Sequence, residues 1–146
     1  MRRVAALLLI STLFVGCAGS SEVSGDRRNV GSITMAFTAR PARVEVGRPV
    51  RFTLRLTNNA GRSETLKFAS GKKYDFWVTD GDDEIWRWSD DVMFTQALIS
   101  QDIGPQSSVS FSETWNAERT GNFTVYGAVE AEGFERSLDG EVIVGD

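Results

Sequence analysis

The run PVRFTLRLTNN, residues 49–59, alternates apolar and polar side chains: Val50, Phe52, Leu54 and Leu56 against Arg51, Thr53, Arg55 and Thr57. A period of two sends successive side chains to opposite faces of an extended strand, so one face is buried and the other wet. The pattern recurs in SITMAFT (Ile33, Met35, Phe37), SVSFSETW (Val109, Phe111, Trp115) and GNFTVYGAV (Phe123, Val125, Val129). EVIVG adds a short apolar strand, and the clusters NNAGRSE, SGKK, DGDD, GPQSS and ERTG supply turns between the runs. This spacing predicts eight or nine short strands, no long amphipathic helix, and an all-β sandwich. Only SDDVMFTQALI has room for a helical turn, with Ser89 or Asp90 as its cap.

The first residues follow another logic. MRRVAALLLISTLFVGC places two arginines before an apolar run from Val4 to Val15, with Gly16 ahead of Cys17. That is the layout of a secretory signal, and its apolar run is too short to span a bilayer. The cysteine makes it resemble a bacterial lipoprotein signal, with Phe14 where leucine is usual and Leu13 one step earlier. The resemblance implies that Cys17 is lipidated and becomes the mature N-terminus, its acyl chains burying at about 0.8 kcal/mol per methylene. The alternative is an ordinary signal with an incidental cysteine. The expected organisation is therefore a signal at 1–16, a lipidated cysteine and flexible Gly/Ser-rich tether at 17–31, and one β domain at 32–146. The expected location is extracytoplasmic and membrane-anchored, in a bacterial envelope.

Charge and composition exclude more than they suggest. Loss of residues 1–16 removes Arg2 and Arg3 from 16 basic side chains and none of the 20 acidic ones, leaving 14 against 20, a net of −6. Nucleic acid needs a basic face, so no nucleic-acid partner is expected, and the acyl chains are left as the membrane contact. The single cysteine is used by the anchor, so the domain stands on packing. The chain has no histidine, which removes Ser-His-Asp and Cys-His catalysis and imidazole zinc sites. No enzyme activity, metal or cofactor is expected. The acids Asp80, Asp82 and Glu84 alternate as oxygen ligands for calcium would, but a hairpin tip accounts for them. Ser70 and Lys73 match Ser-x-x-Lys, yet they join two strands where that motif needs a helix.

The stretch YDFWVTDGDDEIWRWS, residues 74–89, holds three of the four tryptophans. It reads as a hairpin with Tyr74, Phe76 and Val78 on one face and Asp75, Trp77 and Thr79 on the other. An odd-numbered loop, Thr79-Asp80-Gly81 with Gly81 left-handed, puts Trp86 and Trp88 in the core and Trp77 on the far face. An even-numbered loop instead turns Arg87 inward and exposes all three tryptophans. Burying a lone guanidinium is costly, which favours the odd loop and leaves the acids as a solvated tip.

With the strands placed, LTN (56–58), SGKKYDFWV (70–78), IWRWS (85–89), FTQAL (94–98), ETW (113–115) and GNFTVYGAV (121–129) stand in an order that resembles the BsuPI-type proteinase inhibitor domain. The resemblance runs from about Ser32 to Ala131. It implies an immunoglobulin-like antiparallel β-sandwich and a protein partner, a serine protease by the family's name. The namesake acts in the cytoplasm, so the export signal here implies a different target. The alternative is an envelope-binding or assembly module without inhibitory activity. Candidate partner-binding residues are Arg62 in NNAGRSE, Met93 and Phe94 in DDVMFTQAL, and Trp77 on the hairpin's far face; Phe94 also reads as core beneath a surface loop. The acidic tip TDGDDE is the third protruding segment.

Overall fold

The computed structural model describes residues 23–146. The signal segment, Cys17 and the first residues of the expected tether lie outside the described residues. The strands are β1 (Ser24–Val30), β2 (Ile33–Arg40), β3 (Arg43–Glu45), β4 (Pro49–Asn58), β5 (Glu64–Phe68), β6 (Tyr74–Asp80), β7 (Asp83–Arg87), β8 (Ile99–Ile103), β9 (Ser108–Asn116), β10 (Gly121–Val129) and β11 (Leu138–Gly145). A 3-10 turn, Trp88–Asp91, follows β7. One sheet has the order β1-β2-β4-β9 and the other β3-β11-β10-β6-β7, while β5 and β8 pair separately. Neighbours are antiparallel except β3, which joins β11 in parallel. The fold is all-β, an immunoglobulin-like sandwich.

The alternating runs supply its inner faces. Met35 and Phe37 of β2 and Phe52, Leu54 and Leu56 of β4 meet Phe76 and Val78 of β6 and Val125 of β10, all almost wholly buried. Phe37, Phe52 and Phe76 form a triangle with ring centroids 5.9–6.2 Å apart, in tilted geometry that suits aromatic quadrupoles. At Gly127 the inner side chains of the first sheet press directly on the β10 backbone. A Cβ there would lie 2.7 Å from Phe37 Cδ2 and 3.0 Å from Leu54 Cγ.

Three expectations need correction. Ser24–Val30, assigned to the tether, is strand β1 and pairs with β2 along its length, from Ser24 opposite Ala39 to Val30 opposite Ile33. The sequence is polar because β1 is an edge strand whose ladder is made by backbone, and the Glu141 N–H also donates to Ser24 Oγ at 2.7 Å. Among the described residues there are eleven strands where eight or nine were expected, and β3, β5 and β8 span three to five residues, too short for a period to register. The third correction concerns how the tryptophan hairpin turns. Asp80 pairs with Asp83, so the loop Gly81-Asp82 is even, with Gly81 at φ 59°. A bulge between Val78 and Thr79 pairs Thr79 with Glu84 and Val78 with Trp86, leaving Ile85 as the extra residue. The bulge restores the parity that an odd loop would have given. Trp86 therefore shares the face of Val78, and Trp77 lies on the other. Trp86 and Trp88 pack on the margin of the core half-buried, rather than within it.

Gly127→Ala tests the sheet spacing. Overpacking between Phe37 and Leu54 is expected to cost about 1–3 kcal/mol in denaturant unfolding. An unchanged midpoint would show that the sheets do not approach as closely as described.

Candidate functional site

The residues that carry the family resemblance converge on one carboxylate. Asp75 on β6 faces away from Tyr74 and Phe76 and is 0% exposed. Its Oδ2 accepts from Lys72 Nζ at 2.6 Å, Arg87 Nη1 at 2.7 Å and Ser89 Oγ at 2.8 Å, and its Oδ1 from the Phe76 N–H at 2.9 Å. These partners come from the loop before β6, the end of β7 and the 3-10 turn, so one side chain ties three segments together. Burial alone would raise the Asp75 carboxyl, but the hydrogen bonds from Lys72, Ser89 and Arg87 outweigh it and hold the group below its ordinary value of 3.8. Arg87 also makes two bonds to Glu84, at 2.6 and 2.9 Å, and lies 4.6 Å from the Trp77 ring centroid. The hydrogen bond to Glu84, above all, pushes the guanidinium above its ordinary range, against partial burial. Arg87 is thus not a lone guanidinium: it is ion-paired to both Asp75 and Glu84.

On the opposite face of β6 the aromatic side chains stack. Tyr74 lies between Trp88, with centroids 4.5 Å apart, and Phe111, 4.7 Å apart. Phe94 meets Trp88 edge-on at 5.7 Å. The Tyr74 hydroxyl donates to Glu113 Oε1 at 2.6 Å; burial first, then the bond and charge of Glu113, push the phenol above its ordinary value. Beyond Phe94, the Gly71 N–H donates to the Thr95 carbonyl at 2.8 Å. Residues 92–98 are therefore held where Phe94 and Thr95 touch the hairpin, while Met93 projects, 99% exposed, and Leu98 is 86% exposed.

The other expected positions are separate. Arg62 lies in a loop built on buried Asn58, whose Nδ2 donates to the Arg62, Ile103 and Gly104 carbonyls and whose Oδ1 accepts from the Ala60 N–H. The Arg62 side chain is 83% exposed and pairs with Glu64 at 3.2 Å. Trp77 is half-buried, flanked by Arg87 and by Tyr126, whose ring stacks 5.0 Å away and nearly parallel, so its faces are occupied. At the hairpin tip Asp80 bonds Arg119 at 2.8 Å and Glu84 bonds Arg87, so two of the three alternating carboxylates are committed to arginines. Ser70 Oγ accepts from the Lys72 N–H while Lys73 Nζ reaches Gln101, so the Ser-x-x-Lys pair is not assembled. The structure seats Phe94 on Trp88, leaves Met93 projecting beside it, and places Arg62 elsewhere. Sequence reasoning missed the Asp75 network; its signal was present as Lys72, Asp75, Arg87 and Ser89 within the quoted motifs.

A family model described as BsuPI, intracellular proteinase inhibitor, matches residues 37–134. No curated protein matches the chain. Among solved structures it is similar to the CARDB domain of a Pyrococcus furiosus protein, at 12% identity over 84% of this chain and 90% of that one, TM-score 0.43. It is also similar to the sporulation control protein Spo0M of Bacillus subtilis, at 14% identity over 80% and 51% of the two chains, TM-score 0.48. A β-glucosidase of Erythrobacter marinus matches at 9% identity over 84% of this chain and 16% of that one, TM-score 0.46. These structural likenesses say nothing about what this chain binds.

Asp75→Asn is expected to destabilise the domain by about 3 kcal/mol at pH 7, the low end for a broken buried pair because Lys72 and Arg87 keep about a quarter of their surface in water. The folded carboxyl titrates below the unfolded one, so its contribution is complete above 3.8 and fades as pH falls through the lower folded value. Urea unfolding across that range should show the gap between wild type and Asp75→Asn closing with acid. A gap independent of pH would contradict this.

Proposed function

We propose a function from one premise: the chain belongs to the BsuPI family, described as intracellular proteinase inhibitors. On this reading the domain binds a serine protease that has an apolar specificity pocket, and blocks it by inserting residues 92–98. The observation that supports it is Met93, 99% exposed beside two residues that pin its segment, Phe94 on Trp88 and Thr95 on Gly71. An inhibitor segment already ordered before binding loses little entropy on entering a cleft. Met93 fills the pocket, and exposed Leu98 adds apolar contact.

Arg62 serves this purpose less well. Its carbonyl accepts from Asn58 and its guanidinium is paired with Glu64, whereas a bond presented to a protease must leave its carbonyl open to the oxyanion donors. Among the described residues no hydrogen bond holds the Met93 carbonyl. The domain acts by occupying a site rather than by chemistry, consistent with a chain that contains no histidine. Cys17, lipidated, holds it to the envelope membrane outside the cytoplasm, and the target is an exported protease.

Two experiments test these statements. Met93→Asp is expected to weaken binding to a subtilisin-like protease at least about 30-fold, the scale of losing a central anchor, while Arg62→Asp stays within about twofold. Absence of inhibition of subtilisin-like and trypsin-like proteases at micromolar protein would overturn the inhibitor reading and favour an envelope-binding module. Separately, Cys17→Ser is expected to leave the signal uncleaved or to let a high-salt wash release the protein from the membrane fraction, where the acylated wild type stays. Normal processing with retention through that wash equal to wild type would end the lipoprotein reading.

A further inference from the structure

The outward face of the β1-β2-β4-β9 sheet is cationic in a chain whose net charge is −4. Arg27, Arg40, Arg51 and Arg55 stand exposed on it, and no outward position of the four strands carries a carboxylate. Asp26 pairs with buried Phe37 and Glu113 with buried Phe52, so both acids of these strands face the other side. Arg40 is the direct cross-strand partner of Arg51, and Arg27 and Arg55 bracket the small Ala36 between them. Among the described residues none of these four guanidinium groups is ion-paired; Arg55 donates only to Ser108 Oγ. Like charges directly opposite each other across two strands destabilise a sheet. The other outward side chains are mainly Ser and Thr, and a shallow depression between Arg40 and Arg51 is floored by Thr38 and Thr53.

We propose that this face docks on the phosphate headgroups of an anionic phospholipid bilayer. Guanidinium forks and hydroxyls are the donors that phosphate oxygens accept. A small free anion meets only the Arg40/Arg51 pair. A headgroup layer meets all four arginines, which spread about 13 Å along β4 and about 10 Å across the strands. The face has no aromatic side chain, so it lacks the anchors of a protein interface and the stacking platforms of a single-stranded nucleic-acid site. Screening within about 8–10 Å lets the patch act against the acidic remainder of the domain. Its position also suits a membrane. Ser24 pairs with Ala39 at the Arg40/Arg51 end of the face, and it follows Cys17 by seven residues, at most about 25 Å of chain. The inference rests on the anchoring reading only for how the domain is delivered to a bilayer.

The test uses the full chain carrying Cys17→Ser, so that acylation plays no part. Binding is measured by vesicle co-sedimentation, with phosphatidylcholine alone or mixed with phosphatidylglycerol. The expected result is a preference for the anionic vesicles that falls about tenfold in Arg40→Gln/Arg51→Gln and holds within about twofold in Arg48→Gln/Arg119→Gln, a pair of equal charge change lying elsewhere. The first variant should unfold at no lower temperature, because two opposed cations have been removed. Equal losses in both variants would reduce the effect to net charge and overturn the proposal. So would an unchanged preference, a lowered unfolding temperature in the first variant, or retention by a sulfated polysaccharide without any preference among vesicles.

Discussion

A single buried carboxylate organises the hairpin end of this sandwich. Taking Asp75 out of water is costly, and the cost is met by two cations, a hydroxyl and a backbone N–H arriving from three chain segments. Each donor therefore brings its own segment into register. Lys72 places the loop before β6, Arg87 fixes the end of β7 against Trp77, and Ser89 ties down the turn whose first residue, Trp88, stacks on Tyr74.

From that turn the arrangement passes to aromatic packing. Phe94, Trp88, Tyr74 and Phe111 form a continuous stack from the presented segment to β9, so residues 92–98 are braced on the sandwich itself. Stacked rings add about 0.5–1.5 kcal/mol per pair beyond the area they bury. The proposed role of Met93 as an anchor rests on this rigidity. Charge is divided between the two sheets in a comparable way: acids and their arginine partners gather around the hairpin, while the first sheet turns outward arginines that pair with no carboxylate among the described residues.

Much of the fold was legible because burial writes a period of two into the sequence. β2, β4, β9 and β10 all lie where alternation put them, as does the face on which Trp86 sits. The turn was harder to read, since an even loop with a bulge and an odd loop present the same faces to the core. β1 left no apolar signal because its pairing is made by backbone alone, and the five-residue β5 and β8 are too short to register. Met93 and Phe94 were singled out from chemistry alone, and Phe94 packs on Trp88 beneath its loop. Asp75 was not, because a carboxylate on the hairpin's far face looks solvated until the partners that bury it are known. Asn58 was hidden for the same reason: its three carbonyl acceptors lie four and about 45 residues away.

Hydrogen exchange in Ser89→Ala tests most directly the claim that Asp75 fixes the presented segment. This substitution removes one donor and leaves both ion pairs of Asp75 in place. The account predicts faster exchange at the Gly71 and Val92 amides, which bond to Thr95 and Ser89, with the amides of β4 and β10 still protected. Unchanged protection at Gly71 and Val92, or a uniform loss across the sandwich, would contradict it.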